Sequence, residues 1–337
     1  MRFSRRLVAL AASVGLAACS GGGNPSAITP SSSSEATGSV SSPSVPSASA
    51  STEHASASVG ANELVVGGTR PLTVHLPAGD VSEPAPLLIV LHGYGSTGRE
   101  HENYFRFGPV AARRGLVYAT PDGTVDSQGN HFWNATDACC DFDGTGVDDA
   151  EYLTGLIEEI SARASVDPKR VYFVGHSNGG FMSYRMACEH ADLVAGIVSL
   201  AGATFATRTD CQPSEPVAIL EIHGTADDTV RFDGGKLSDI GAPGQLNPYP
   251  GATTTVATWA MYDGCAAKLV RSTTTVDVDA VNFGPSGPAE ATVDSATGCD
   301  PGGHVELWTI PHGGHGPNLS ATLADSVIDF LLAHPKP

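Results

Sequence analysis

The stretch VYFVGHSNGGFMSYRMA, residues 171–187, decides how the rest of the chain is read. It leaves a β-branched and aromatic run, turns through glycines around one serine, and enters a pattern with helical spacing. Gly175-His176-Ser177-Asn178-Gly179 fits G-x-S-x-G. A hydrophobic strand before it and a helix after it are the context of a nucleophile elbow, a sharp turn that exposes a serine hydroxyl above a sheet. Gly175 and Gly179 leave room for the tight backbone, and Gly180 lets the helix pack close to its neighbours. In a chain with 39 glycines the motif alone is weak, because a bare strand-to-helix turn would look the same.

A serine hydroxyl is a poor nucleophile until a base takes its proton. Behind such an elbow the partners follow in the order Ser, acid, His, and the sequence supplies them in that order. ILEIHGTADDTV (219–230) ends a strand at Ile222 and places Asp227 in the loop beyond it. LWTIPHGGHGPN (307–318) ends another at Ile310 and places His315 in its loop. All three would lie at the carboxyl edge of one sheet, where α/β sheets bind ligands. Asp228 rivals Asp227 and His312 rivals His315; the first of each pair is preferred, on the HGTAD pattern and on the depth of His315 in a Gly-Gly turn. Donors for an oxyanion are also present. LLIVLHGYGSTG (87–98) is a buried strand running into a Gly-rich loop, similar to the His-Gly motif of lipases. The backbone N–H of Tyr94 and that of Asn178 are the expected donors, each worth about 10² to 10³ in rate.

Outward from this centre, short apolar runs alternate with amphipathic stretches. Strands are expected at 71–76, 85–92, 116–121, 170–175, 195–202, 217–224 and 305–310, and helices at roughly 100–114, 147–163, 178–190, 252–263 and 319–333. Several strands are apolar throughout, as expected when both faces are covered. The alternation predicts an α/β domain with a mostly parallel central sheet flanked by helices, a single domain over residues 61–337. The stretch 264–303, rich in Thr, Asp and Gly, reads as an excursion near the top of that sheet.

The N-terminus reads differently. MRFSRRLVALAASVGLAAC (1–19) has a basic start, a short apolar run and a small-residue end, a secretory signal over 1–18. Leu16-Ala17-Ala18-Cys19 resembles the lipobox of bacterial lipoproteins, which implies lipidation of Cys19; a cleaved signal without lipid is the alternative. Residues 19–60 then hold the lipidated cysteine and a Ser/Ala/Pro-rich tether with too little apolar surface to fold. The chain would be exported and anchored at the bacterial cell surface or periplasm, otherwise secreted, with contact to a membrane only through Cys19. Removing the signal with Arg2, Arg5 and Arg6 leaves 15 Lys+Arg against 36 Asp+Glu, a net −21. So acidic a chain argues against nucleic acid as a partner, and a monomer is expected.

Cys139, Cys140, Cys188, Cys211, Cys265 and Cys299 remain after Cys19, an even number that suits disulfides in an exported chain. Six cysteines allow 15 pairings. Cys265 with Cys299 is the first expected pair. A trans peptide would hold the Cα atoms of Cys139 and Cys140 at about 3.8 Å, below the usual disulfide range, yet Cys188 with Cys211 is the natural remaining pair. Reduced or differently paired cysteines stay open.

LHGYGSTG, ACCDFDGTGVDDAEYL, RVYFVGHSNGGFMSYRMAC, IHGTADDTV, YDGC and GGHG occur in order over residues 64–333. Together they resemble the secreted esterase family that groups polyhydroxybutyrate depolymerases with feruloyl and acetylxylan esterases. The resemblance implies an α/β-hydrolase fold, a catalytic Ser177, Asp227 and His315, no metal or organic cofactor, and an ester substrate, either a polyester oligomer or an esterified plant polysaccharide. Such chains often carry Trp-Pro-Gly shortly after the histidine, where this one has Gly316-Pro317-Asn318. The departure bears on the substrate and leaves the three catalytic positions intact. A catalytically inactive surface lipoprotein that binds ligands, or a serine peptidase or thioesterase on the same scaffold, is the alternative reading.

Other motifs carry less. DFDGTGVDD (141–149) resembles a calcium loop, but Thr145 and Tyr152 stand where ligands are required, so the pattern fails; Asp148 and Asp149 are expected to start a helix instead. No H-E-x-x-H or paired CxxC spacing supports zinc. Trp133, Trp259 and Trp308 read as packing residues, with Trp133 the best exception as a sugar platform.

Overall fold

The computed structural model describes residues 60, 62–78, 83–242, 247–266, 268–284 and 287–337. The signal segment 1–18, Cys19 and nearly all of the tether lie outside the described residues. No described helix is long and apolar enough to cross a membrane.

In chain order the strands are β1 (Glu63–Val66), β2 (Leu72–His75), β3 (Ala85–Leu91), β4 (Val117–Ala119), β5 (Thr124–Val125), β6 (His131–Phe132), β7 (Val166–His176), β8 (Gly196–Leu200), β9 (Ala218–Gly224), β10 (Gly234–Lys236), β11 (Pro248–Pro250), β12 (Val270–Val276), β13 (Ala291–Ser295) and β14 (His304–Ile310). The helices are α1 (Gly98–Phe105), α2 (Phe107–Arg114), α3 (Asp149–Arg163), α4 (Asn178–Glu189), α5 (Ala252–Tyr262) and α6 (Leu323–Ala333). Ten strands form one sheet in the order β1-β2-β4-β3-β7-β8-β9-β14-β13-β12. Its centre, β4 to β14, is parallel, and both edges are antiparallel. Two small hairpins, β5–β6 and β10–β11, stand apart from it.

The period of two along each central strand builds two cores. Leu87, Ile89 and Leu91 of β3, with Val171 and Phe173 of β7, pack on one side with α3, α4 and α5. Leu88 and Val90, with Tyr172 and Val174, pack on the other side with α1, α2 and α6. All seven residues of β3 are buried, which is why that strand shows no polar alternation.

Three expectations are corrected. The helix expected at 100–114 is two helices, because Arg106 adopts a left-handed conformation (φ 59°) and its N–H closes onto Glu102 O. Glu102 then accepts from Gly108 N–H at the start of α2, and Pro109 sits in that first turn, where a missing N–H costs little. Residues 264–303 are not an excursion above the sheet, since they supply β12 and β13, its antiparallel edge. The structure also adds β1 at the opposite edge. The structure pairs Cys139 with Cys140, Cys188 with Cys211 and Cys265 with Cys299. The Cys139–Cys140 peptide is cis with Cα atoms 3.1 Å apart, not the trans spacing assumed from sequence.

Candidate active site

Ser177 joins β7 to α4 at φ 54° and ψ −120°, a left-handed turn that a non-glycine residue rarely adopts and that marks a functional corner. Its N–H is held by Leu200 O at 2.8 Å. The flanking glycines are there for space. A Cβ on Gly175 would lie 2.1 Å from Gly179 O, and one on Gly179 would lie 2.3 Å from Leu91 O. The elbow thus presses directly on the end of β3, and a Cβ on Gly93 in the next loop would touch Ser177 Cβ at 3.4 Å.

That loop carries Tyr94, and the elbow itself carries Asn178, the two residues expected to donate to an oxyanion. Gly93 N–H is engaged by His101 Nε2 at 3.1 Å, whereas among the described residues the Tyr94 N–H has no acceptor. Asn178 is the first residue of α4, so its N–H has no acceptor one turn back and points outward with the positive end of the helix. The Asn178 side chain faces the other way. Its Oδ1 accepts from Trp133 N–H and its Nδ2 donates to Trp133 O, both at 2.8 Å, and Nδ2 lies 3.5 Å from Cys139 Sγ. The helix start is clamped to the loop that carries the cysteine pair. Trp133 is fully buried with its indole N–H on His92 O, so it is a packing residue and not a sugar platform.

The acid and the base arrive from the next two loops. Thr225 N–H donates to Ile310 O and Ala226 N–H to Gly313 O, which ties the loop after β9 to the loop after β14. Asp227 Oδ2 accepts from His315 Nδ1 at 2.9 Å. Its Oδ1 accepts from the N–H groups of Thr229 and Val230, each at 2.9 Å. Burial alone would raise the Asp227 carboxyl, but hydrogen bonds from His223 and His315 hold it well below the usual carboxylate range. The rivals stand apart: Asp228 is exposed and reaches only Thr229 Oγ1, and His312 is exposed with its backbone N–H on Thr225 Oγ1. With Nδ1–H on the carboxylate, His315 keeps its Nε2 lone pair free, the tautomer a general base needs.

Serine and histidine meet through the residue between them. His176, next to Ser177, donates Nε2–H to His315 O at 2.9 Å, and the two rings lie 4.9 Å apart. No hydrogen bond joins Ser177 Oγ to His315 among the described residues; such contacts often close only around substrate. Burial lowers His176 to about 4, so the ring is neutral; its Nδ1 lies 3.3 Å from His101 Nε2, which is already the acceptor of Gly93 N–H.

Ser177 opens into a cleft of about 300 Å³ walled by Tyr94, the Cys139–Cys140 pair, Phe142, Val230 and Ile240. Tyr94 stands on its rim, edge-on to Phe142, with its hydroxyl on Asp126. The calcium-like loop beside it is closed on itself. Asp141 accepts from Thr145 and Gly146 N–H, Asp143 accepts from Ser127 N–H, and Asp148 caps α3. Asp149 is buried against Arg70 at 2.9 Å.

Sequence reasoning missed four residues of this region: His101, His176, Glu221 and His223. The signal was available for the last two, since VAILEIHG puts a carboxylate and an imidazole into an otherwise apolar strand.

Residues 79–239 match the Phospholipase/Carboxylesterase family model. NocK of Nocardia uniformis subsp. tsuyamanensis, named provisionally as an esterase, is 28% identical over 298 residues, covering 82% of this chain and 84% of NocK. Feruloyl esterase B of Piromyces equi is 31% identical over 250 residues, 73% of this chain; the match spans only 42% of that protein. Among solved structures, the acetyl xylan esterase from Aspergillus awamori superposes with a TM-score of 0.53 at 12% identity, over 80% of this chain and 98% of that one, a likeness of fold. The chain is an α/β-hydrolase-fold relative of the feruloyl, acetylxylan and related esterases that its motifs resemble.

Proposed function

We propose that the protein is a serine carboxylic-ester hydrolase working through an acyl-enzyme. Ser177 Oγ attacks the ester carbonyl while His315 Nε2 accepts its proton. Asp227 keeps the imidazole in the required tautomer and stabilises its charged form. The N–H groups of Tyr94 and Asn178 receive the developing oxyanion, His315 protonates the departing alcohol, and water releases the acyl group by the reverse steps. The observation that carries this reading is the 2.9 Å bond from His315 Nδ1 to Asp227, made by a histidine whose carbonyl is held by the neighbour of Ser177. The relatives support an ester substrate, and the cleft walled by Tyr94 and Phe142 suits the acyl group of a polyester oligomer or an esterified polysaccharide. Export, with lipidation at Cys19, completes the proposal.

Ser177→Ala is expected to lose on the order of 10⁶ in kcat toward a p-nitrophenyl ester and to lose labelling by a fluorophosphonate. A variant that keeps full activity overturns the reading. Cys19→Ala should release the protein from the membrane fraction, and unchanged fractionation would remove the lipid anchor from the proposal.

A further inference from the structure

Glu221 and His223 stand on β9, and their side chains are 0% and 1% exposed. A carboxylate and an imidazole in that position are unfavourable unless each is paired. Tyr184 Oη donates to Glu221 Oε2 at 2.9 Å, and His223 Nδ1 donates to Glu221 Oε1 at 2.8 Å. On the far side of the ring, His223 Nε2 donates to Val230 O at 2.7 Å and lies 3.4 Å from Asp227 Oδ2. Both ring nitrogens therefore face oxygens that accept. Burial raises the Glu221 carboxyl while its hydrogen bonds from His223 and Tyr184 lower it; with Glu221 ionised, a neutral imidazole would turn a lone pair against one of these oxygens, and the ring then carries both protons. Burial opposes that charge, but Asp227 and Glu221 raise His223 to about 10.

We propose that His223 is a positioning residue of the site: an imidazolium anchored by Glu221 that shares Asp227 Oδ2 with His315. The inference rests on the reading of Ser177, Asp227 and His315 as a triad. Its mechanical part is a hold on all sides of one carboxylate, with two backbone N–H groups on Oδ1 and two imidazoles on Oδ2. Its electrostatic part follows from order in space. Glu221 lies behind the ring and Asp227 in front, so the positive end of the Glu221–His223 pair faces the triad and opposes a second positive charge on His315. The titratable groups around this pair are Tyr184 from α4, Asp227 from the loop after β9 and His176 from the end of β7; His315 from the loop after β14 and Tyr249 from β11, whose hydroxyl accepts from Arg231 N–H, bear on Asp227. The Phe232 ring closes the remaining side edge-on at 5.7 Å.

The test is His223→Gln beside Ser177→Ala, with kcat and KM for p-nitrophenyl acetate measured from about pH 4 to about pH 9. His223→Gln should lower kcat by about 10- to 100-fold with KM nearly unchanged, and move the acid limb of kcat/KM upward by about one pH unit. A profile of unchanged shape overturns the proposal while leaving the triad standing. An active Ser177→Ala overturns the triad itself, whatever His223→Gln does. Should the glutamine variant fail to fold, ¹⁵N-histidine spectra of the intact protein decide. Protons on both nitrogens of His223 through about pH 8 support the proposal, and a neutral ring, its proton transferred to Glu221, overturns it.

Discussion

Asp263 offers a stability change whose size follows from its surroundings. It closes α5 in the YDGC motif and is completely buried. Oδ1 accepts from Val217 N–H at 3.1 Å, while Oδ2 has no partner. Burial, opposed by that one bond and aided by the nearby Asp300 carboxylate, raises the carboxyl from 3.8 to about 7. The native state therefore binds the proton that the unfolded chain has already released, and stability falls as pH rises across this interval. Below the unfolded value both states are protonated and nothing is lost; above the native value the full cost is present. At about 1.4 kcal/mol per pH unit, the loss across that span is about 4 kcal/mol. Asp263→Asn keeps the shape and the acceptor for Val217 and removes the ionisation. Thermal unfolding of wild type and variant, followed by circular dichroism, should give nearly equal Tm at about pH 4 and a variant about 7 °C more stable at about pH 8. A Tm difference that stays constant with pH, or a wild type that gains on the variant as pH rises, would refute the reasoning.

Asp227→Asn should cost about 10⁴ in kcat by turning His315 to the wrong tautomer, while Asp228→Asn leaves hydrolysis of p-nitrophenyl acetate within about twofold; comparable losses in both would remove Asp227 from its role. Gly179→Ala should abolish soluble, folded protein, because its Cβ would meet Leu91 O at 2.3 Å and His92 O at 2.7 Å, both backbone atoms; a variant with wild-type Tm would show that the elbow relaxes. Alkylation of the unfolded, unreduced protein followed by peptide mass analysis should find Cys139 and Cys140 linked within one peptide, with Cys188 to Cys211 and Cys265 to Cys299; free thiols or crossed peptides would overturn that pairing.

The parts of the fold that were legible in the sequence are those where one physical demand acts alone. β3, β7, β8 and β9 are covered on both faces, so their apolar runs could be read directly. β12, VRSTTTV, has no fully buried residue; an exposed edge strand carries no apolar signal, so the sequence reads there only as part of a polar excursion. The α1–α2 break depends on one left-handed residue, Arg106, and helical periodicity continues across such a point. Ser177, Asp227 and His315 could be singled out because each follows a readable strand. Their supports could not. His101 and His176 act through contacts between segments distant in the chain, and such contacts leave no spacing to read; Glu221 and His223 show only as polar residues in an apolar strand.

Why His315, among so many imidazoles, is free to act as a base follows from counting the partners of each ring. Of five histidines in this region, three, His92, His101 and His223, have both nitrogens hydrogen-bonded. His92 donates Nδ1–H to Gly93 O and accepts Gly123 N–H at Nε2. His101 meets Ser96 Oγ at Nδ1 and accepts Gly93 N–H at Nε2. His176 donates Nε2–H to His315 O, while its Nδ1 lies 3.3 Å from His101 Nε2. His223 is held between Glu221 and Val230. Burial lowers His92 to about 4 and His101 to about 3, so these rings stay neutral as the pH falls and do not bring extra positive charge to the oxyanion loop. His315 keeps its Nε2 without a partner among the described residues, and its other nitrogen is fixed by Asp227. The surrounding imidazoles thus behave as structural amides would, joining the loops of Gly93, Ser177, Asp227 and His315 into one rim.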